Sequence, residues 1–256
     1  MWTMRQEQTE AFRQHHLKKF EDEMVEHSKE MSPRLCKVIG DDQVRVAVRN
    51  GIDRAGAYGF TNRGPIRLFI ELRYLFGSAF DTDPQYPWAA KIVNAAEDQM
   101  LRAEQLYEKS LDYEEKVAGP HAANTYKALK GLSVLAQSPF VLSTQDYIAG
   151  MLMEMARIFP QKADYVGEAG LRAIVNEGSG EARKYQFPTL RGHAVMTVLM
   201  FAFGHGCTND PLYPWISRTL ADRKITDAGA RAERLEKKAL TWLAHVLAAS
   251  SGGTQE

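Results

Sequence analysis

Apolar residues recur every three or four positions along most of this chain, which is the spacing of a helix that buries one face. Between residues 41 and 58, for example, Val44, Val48, Ile52 and Ala55 form one such stripe. The alternation of apolar and polar residues that marks a half-buried strand does not persist in any segment of the sequence. The pattern therefore predicts an all-α protein.

Prolines and glycines divide the first half of the chain into four predicted helices. Proline cannot continue a helix interior, so Pro33 follows the end of a long, charged helix. Glycine is a common helix stop, and Gly77 is expected to end the third helix. Pro87 is expected to open the fourth helix, because proline is well tolerated in the first turn. The predicted ranges are about 5–31, 41–58, 61–77 and 87–118, with a break in the last near residues 94–98.

The same pattern occurs a second time, 127 positions later. The segment Asp83-Pro84-Gln85-Tyr86-Pro87-Trp88 returns as Asp210-Pro211-Leu212-Tyr213-Pro214-Trp215. From Met24 to Trp88, 17 of 65 positions are identical at this offset without a gap, so both halves are predicted to share one architecture. A shift of two more residues restores the match in the fourth helix, at Arg102-Ala103-Glu104 and Arg231-Ala232-Glu233.

The duplication predicts two tandem, pseudo-symmetric multi-helix units joined by a helical linker. Each unit is long enough to bury a core of its own. The predicted boundaries are 1–119 for unit 1, 120–142 for the linker, 143–249 for unit 2 and 250–256 for a disordered polar tail.

Eight recurring residues are interpreted as structural anchors of the two units. The tryptophan of each Pro-Trp turn is expected to pack the third helix against the fourth. Because a buried arginine seldom lacks a partner, we predict that each recurring arginine pairs with the recurring aspartate of its unit, and a ligand-anchoring role for the same pairs stays open. Glycine inside both second helices indicates a close helix crossing. The anchors are Arg45, Tyr58, Asp83 and Trp88 in unit 1, and Arg172, Tyr185, Asp210 and Trp215 in unit 2.

The third helices of the two units differ in character. Three charged positions of unit 1 are apolar in unit 2, where the helix is apolar on every side. Such a helix is buried or belongs to an interface, so we expect burial between the units, with a partner-binding groove as the alternative. The charged copy is expected to face solvent or a charged partner. The candidate partner-binding residues on the two helices are Arg67, Glu71, Arg73, Met196 and Met200.

Charge and composition argue against several classes of function. The chain has 32 basic and 32 acidic residues, so no global charge favours nucleic acid or an acidic membrane. The histidines and cysteines lack the spacing of a metal site, and the sequence has no nucleotide-binding glycine motif and no catalytic constellation. We therefore predict a non-enzymatic protein that uses no cofactor and no metal.

Three features of the sequence predict a cytoplasmic protein that does not enter a membrane. The N-terminal residues lack the apolar core of a signal peptide. The longest apolar stretch, Ala194 to Phe203, has about half the residues needed to span a bilayer. Cys36 and Cys207 occupy unrelated positions of the repeat, so a structural disulfide is not expected, which fits a reducing compartment.

Residues 40–93 carry a further pattern: Gly40, Arg45, Gly51-Ile52, Tyr58-Gly59-Phe60, an apolar helix to Phe76-Gly77, Phe80-Asp81-x-Asp83-Pro84 and Pro87-Trp88-Ala89. This pattern resembles a set of small, uncharacterised helical proteins that are often encoded beside the spike and effector genes of bacterial type VI secretion systems. The resemblance covers about residues 20–115, and unit 2 departs from it at residues 179–180 and 207–209. It implies a genomic neighbourhood and carries over no catalytic residues.

These observations lead to one main hypothesis and three alternatives. The main hypothesis is a protein-binding accessory, an adaptor or chaperone, whose partner in the context of the resemblance is a secreted effector or spike protein. The first alternative is an immunity protein that neutralises a cognate effector. The second is a self-assembling module, a homodimer in contact through residues 194–203. The third is an enzyme or a small-ligand binder with a pocket between the units, near Arg45, Tyr58 and Trp88 or their copies.

Overall fold

A computed structural model describes residues 6–135 and 143–251 of the chain. Within these ranges the structure contains helices, turns and bends and no strand, which confirms the all-α prediction. Most of the predicted polar tail, residues 252–256, lies outside the described residues, as does the second part of the predicted linker, residues 136–142. The helices are α1 (Gln6–Met31), α2 (Pro33–Ile39), α3 (Asp41–Ala57), α4 (Arg63–Phe76), α5 (Pro87–Val93), α6 (Gln99–Tyr113), α7 (Ala123–Leu135), α8 (Tyr147–Ile158), α9 (Pro160–Lys184), α10 (Leu190–Phe203), α11 (Pro214–Leu220) and α12 (Ala228–Ser251).

The boundaries of these helices follow the prolines and glycines of the sequence. Pro87 and Pro214 are the first residues of α5 and α11, where the missing N–H group of proline is harmless. The sequence analysis did not anticipate α2, a short helix that ends one residue before Gly40. Gly40 has a φ of 84° and separates α2 from α3, and the matching Gly167, with a φ of 73°, kinks α9. The same backbone break therefore occurs at equivalent positions in both halves.

Phe76, the last residue of α4, lies in an aromatic cluster of unit 1. Its ring centroid is 4.6 Å from that of Tyr86, 5.5 Å from that of Trp88 and 4.7 Å from that of Tyr113. Because Trp88 is in α5 and Tyr113 ends α6, the cluster packs three helices together. The corresponding rings of unit 2 are those of Phe203, Tyr213, Trp215 and Trp242.

The second and third long helices of each unit cross at a glycine. A Cβ atom on Gly178 of α9 would lie 2.6 Å from the Cα atom of Thr197 on α10. A Cβ atom on Gly51 of α3 would lie 2.9 Å from the side chain of Ile70 on α4. These separations are too short for a real Cβ atom, so glycine is what allows each pair of helices to approach this closely.

The two units contact each other through the turns that follow α4 and α10. Asp83 Oδ2 in unit 1 accepts a hydrogen bond from the backbone N–H of His205 in unit 2, at 2.7 Å. Asp210 Oδ2 in unit 2 accepts a hydrogen bond from the backbone N–H of Ser78 in unit 1, at 2.8 Å. Asp83 matches Asp210 in the repeat and Ser78 matches His205, so the two contacts are reciprocal. Both carboxylates are buried and satisfy backbone groups of the other unit.

The predicted pairing of Arg45 with Asp83 and of Arg172 with Asp210 is wrong. Both aspartates accept hydrogen bonds from backbone N–H groups at the contact between the units. Arg45 instead bonds two acidic residues of α1, at 2.5 and 2.6 Å. Arg172 pairs with a glutamate one turn earlier on α9, at 2.7 Å. The arginines therefore join neighbouring turns and helices within their own units.

The helix in the predicted linker, α7, packs on unit 2 beside α8 and α12. The hydroxyl of Tyr126 donates a hydrogen bond to the backbone oxygen of Leu247 on α12, at 3.5 Å. A Cβ atom on Gly131 would lie 3.9 Å from Ile158 of α8.

Among the helices of residues 6–135 and 143–251, none combines the length and the apolar character needed to cross a bilayer.

Candidate protein-binding site

Arg67 and Glu71 lie on the outer surface of α4, as a partner-binding role requires. The side chain of Arg67 is 53% exposed, and its Nε donates a hydrogen bond to Glu71 Oε1 at 2.8 Å. The same carboxylate oxygen is 2.6 Å from Nε2 of His27 on α1. These two residues therefore join α1 to α4, and one of them, Arg67, is open to solvent.

Arg73 does not belong to this surface, contrary to the prediction. Only 2% of Arg73 is exposed, and its guanidinium reaches across to α3. Nη1 donates a hydrogen bond to the backbone oxygen of Ala47 at 3.0 Å, and Nη2 donates one to Asn50 Oδ1 at 2.5 Å. Arg73 is thus a buried link between α3 and α4, next to the crossing at Gly51.

Met196 and Met200 are also buried inside the chain, so they form no binding surface in this structure. Most of the segment 194–203 packs against α9, α12 and α8 within unit 2. Its C-terminal end meets unit 1, where Gln85 Nε2 donates a hydrogen bond to the backbone oxygen of Met200 at 3.2 Å. Internal packing therefore buries most of the segment, while Val195 and Val198 are half-buried and Ala202 is exposed, so a homodimer contact through it stays a prediction.

One exposed apolar surface of unit 1 lies where α4 and α6 run side by side. Asn62, before α4, donates its backbone N–H to Gln99 at the start of α6, at 2.9 Å. Phe76 and Tyr113 meet at the other end of the same helices. The large apolar side chains that stay exposed on this pair, here called the α4/α6 face, are Leu75 (36%), Met100 (53%), Leu101 (45%), Tyr107 (52%) and Leu111 (45%).

The equivalent face of unit 2 is partly covered by α7. Ala202 matches Leu75 at the offset of 127, and Leu240 matches Leu111 after the two-residue shift. Both line a half-open cavity to which α7 contributes Leu129 and Leu132. Leu240 is half-buried there and Ala202 stays exposed, so the linker helix covers part of the surface in unit 2 that remains open in unit 1.

This cavity is small and apolar. Its volume is about 120 Å³, close to the size of an engineered cavity that holds one benzene molecule. Arg191 and Glu236 are the charged residues of its lining, and Arg191 Nε donates to Glu236 Oε2 at 2.9 Å. The cavity lies between α7, α10 and α12, away from the pocket that the sequence predicted near Arg45, Tyr58 and Trp88.

Tyr58 holds a buried carboxylate at the edge of unit 1. Its hydroxyl donates a hydrogen bond to Asp81 Oδ2 at 2.7 Å, and Arg54 Nε binds the same carboxylate. Burial, together with the negative charge of Asp81, raises the pKa of Tyr58 to about 12. The copy in unit 2, Tyr185, has Thr208 where unit 1 has Asp81, so the network is not repeated.

A second polar network joins the units and gave no signal in the sequence. His205 Nε2 lies 3.0 Å from the hydroxyl of Thr82, and His205 Nδ1 lies 3.1 Å from a carboxylate oxygen of Glu177. Hydroxyl, imidazole and carboxylate in a row can support nucleophilic catalysis. Here, however, Thr82 donates its one hydroxyl proton to the backbone oxygen of Ala79, at 3.1 Å. The network therefore acts as a bridge between the two units.

Both cysteine thiols of the chain are buried. Cys207 is fully buried, and burial raises the pKa of its thiol well above the usual value, which disfavours a reactive thiolate. Cys36 is buried as well, and both thiols are free. Among the residues that the structure describes, no group of histidine, cysteine and acidic side chains is arranged to hold a metal ion.

No protein-family model, curated protein or solved structure matches this chain.

Proposed function

We propose that this chain is a helical protein-binding module and that the α4/α6 face is its binding surface. In the genomic setting that the resemblance implies, it serves as an adaptor or chaperone for a secreted effector or spike protein of a type VI secretion system. The observation that carries the proposal is that unit 1 leaves open the apolar surface that α7 partly covers in unit 2.

The composition of the α4/α6 face suits a protein partner. Tyr107 offers a large ring with a polar tip, and Met100 is a flexible apolar side chain that adapts to irregular surfaces. Aromatic residues and methionine are enriched in protein interfaces, and their exposed apolar area is what association removes from water. Buried at a contact, Tyr107 and Leu111 would supply the central anchors.

Site-specific photo-crosslinking in the bacterium that encodes the chain tests the proposal. A photoreactive amino acid at Leu111 is expected to capture a spike or effector protein, identified by mass spectrometry. The same amino acid at Met153, a residue of α8 that is 73% exposed, is the matched control and is expected to capture nothing specific. No capture at Leu111, or equal capture at both positions, would show that the face binds no partner.

The charge-introducing variant Leu111→Glu separates an accessory from an immunity protein. An accessory is expected to lose export of the captured protein while the cells stay viable. An immunity protein is expected to lose protection, so that cells producing the cognate effector die. Capture of a second copy of the chain at Leu111 would assign the face to self-assembly and remove both roles.

A further inference from the structure

We propose that the partner segment bound by the α4/α6 face is a basic amphipathic helix. This inference rests on the proposed function and adds the chemistry of the partner. Its three supports are the way α7 sits on unit 2, the open position in unit 1, and the charges that surround the α4/α6 face.

The helix α7 shows how this repeat architecture receives another helix. Leu129 and Leu132, three residues apart, face the cavity, and Ala128 is buried to 4% exposure. Tyr126 lies near Leu247, while Leu132 lines the cavity with Leu243 and residues earlier in α12, so α7 runs antiparallel to α12. The occupant of the equivalent face is thus a helix with one apolar stripe, which is a common mode of peptide recognition.

In unit 1 no described helix fills the matching position. The helix α1 packs on α3 and reaches α4 through His27 and Glu71. Three side chains on the other side of Glu71 remain between about one third and one half exposed, those of Leu75, Tyr107 and Leu111. Within residues 6–135 and 143–251, the position that α7 takes on unit 2 has no counterpart on unit 1.

The charges around the α4/α6 face determine the sign of the partner. The exposed charged residues of α6 are Glu104 and Glu108, and Glu114 and Glu115 are exposed in the next turn. The exposed basic residues nearby already have acidic partners: Arg63 pairs with Glu23, Arg67 with Glu71 and Lys116 with Asp112. A helix with lysine or arginine beside its apolar stripe would pair with these carboxylates, and an acidic helix would be repelled.

The lysines of α7 illustrate the composition that we expect of a helix bound to the α4/α6 face. Lys127 and Lys130 are exposed beside the apolar stripe of α7, and the helix contains no acidic residue. Lys130 Nζ lies 4.6 Å from the ring centroid of Tyr126, a contact that a partner lysine would repeat on Tyr107. Long basic side chains can lie along apolar surface while their charged ends stay in water.

Peptide binding to the full-length protein tests the inference. The probe is a capped, fluorescein-labelled peptide with the sequence of residues 123–135, followed by fluorescence anisotropy. We expect saturable binding that weakens as salt is raised. A peptide in which Lys127 and Lys130 are replaced by glutamate is expected to bind at least about tenfold more weakly, a difference of about 1.4 kcal/mol.

Two protein variants assign the binding to the α4/α6 face. Leu111→Glu is expected to weaken binding of the basic peptide at least about tenfold. Met153→Glu, which alters an exposed apolar residue of α8, is expected to leave binding unchanged. Circular dichroism and thermal unfolding check that both variants fold. Absence of saturable binding to the wild type, equal binding of the two peptides, or unchanged binding to Leu111→Glu would overturn the inference.

These outcomes are distinct from those of the proposed function. If photo-crosslinking at Leu111 captures a partner through an acidic or non-helical segment, the proposed function stands and the basic-helix inference fails. If nothing is captured at Leu111, both fail. If a basic helical segment is mapped at the crosslink, both are supported.

Discussion

Lys162 of α9 is a buried cation at the contact between the two units. It is 4% exposed, and its Nζ donates a hydrogen bond to the backbone oxygen of Phe201. The same Nζ lies 5.6 Å from the ring centroid of Tyr86 in unit 1 and 4.8 Å from that of Phe201. Burial lowers the pKa of Lys162 from 10.5 to about 8, and the carboxylate of Asp83 opposes that shift.

This environment predicts a pH-dependent stability. The unfolded chain keeps the Lys162 proton up to about pH 10.5, while the folded chain releases it near pH 8, so the unfolded state binds more protons in between. The free energy of unfolding therefore rises between about pH 8 and pH 10.5 as folded Lys162 loses its proton. Below pH 8 the cost of burying the charged ammonium group is fully present. Lys162→Met removes this penalty, about 3 kcal/mol for a shift of this size, but also the hydrogen bond to Phe201, so we expect the stability of the variant relative to wild type to be highest below pH 8.

Urea unfolding of wild type and Lys162→Met across this pH range measures the difference. The stability of the variant relative to wild type is expected to fall as the pH rises, because wild type then buries a neutral amine. A difference that stays constant with pH would show that the ammonium group keeps its hydration in the folded state.

Single residues also show where sequence reasoning reached its limit. The charge of Arg73 predicted a surface position. Its repeat partner, Met200, belongs to a helix that was expected to be buried, and this match correctly indicates a buried position for Arg73. The partners of Asp83 were not predictable in the same way. Its main contact is a backbone N–H in the other unit, and a backbone group leaves no trace in the amino-acid pattern.

Among the helices, the crossing of α9 and α10 offers a controlled test of close packing. In Gly178→Ala the new methyl group would lie 2.5 Å from Thr197 Oγ1 and 2.6 Å from Thr197 Cα, so the helices must separate. We expect the free energy of unfolding to fall by about 1–3 kcal/mol. Gly180→Ala, two residues away on α9, meets no atom within 4 Å and is expected to be neutral or stabilising by up to about 1 kcal/mol.

Thermal or chemical unfolding of the two variants checks this prediction. Because both replace glycine by alanine in one helix, propensity and unfolded-state effects are nearly the same. The difference between them therefore reports the crossing itself. If Gly178→Ala is as stable as Gly180→Ala, the helices are less closely packed than the structure indicates.

The helices were the most predictable part of the molecule. Pro87 and Pro214 begin their helices as expected, since the ring of proline fixes the local geometry whatever the surroundings. The placement of α7 was not predictable in this way. Its apolar residues indicated a helix between the units, but they did not specify that the helix would pack along α12 and cover one of two similar faces. That choice, which leaves the α4/α6 face open, depends on tertiary packing.

At the scale of the whole molecule, the contact between the units resembles the interface of a two-fold dimer. Asp83 bonds the turn of unit 2 and Asp210 bonds the turn of unit 1, which is the isologous arrangement of a two-fold symmetric interface. The turns also approach closely, since a Cβ atom on Gly206 would lie 2.6 Å from the Cβ atom of Ala79, its repeat partner. The backbone N–H groups of Ser78 and His205 thus have these acceptors only when the other unit is folded.

This dependence predicts that the two units unfold together. Trp88 reports on unit 1, while Trp215 and Trp242 report on unit 2, so two reporter proteins are made by replacing the other tryptophans with phenylalanine. Trp2, which lies outside the described residues, is replaced in both. We expect each reporter to show one transition whose midpoint coincides with the loss of helical circular dichroism of the same protein, a signal to which both units contribute.

Asp83→Ala tests the cause of this coupling. It leaves the buried backbone N–H of His205 without its acceptor, and we expect both reporters to lose about 1–3 kcal/mol of stability together. Asp53→Ala, at an exposed aspartate of α3, is the control and is expected to change stability by no more than about 0.5 kcal/mol. A loss confined to the Trp88 reporter would mean that unit 1 unfolds independently. The reciprocal hydrogen bonds would then join two separate domains rather than one cooperative structure.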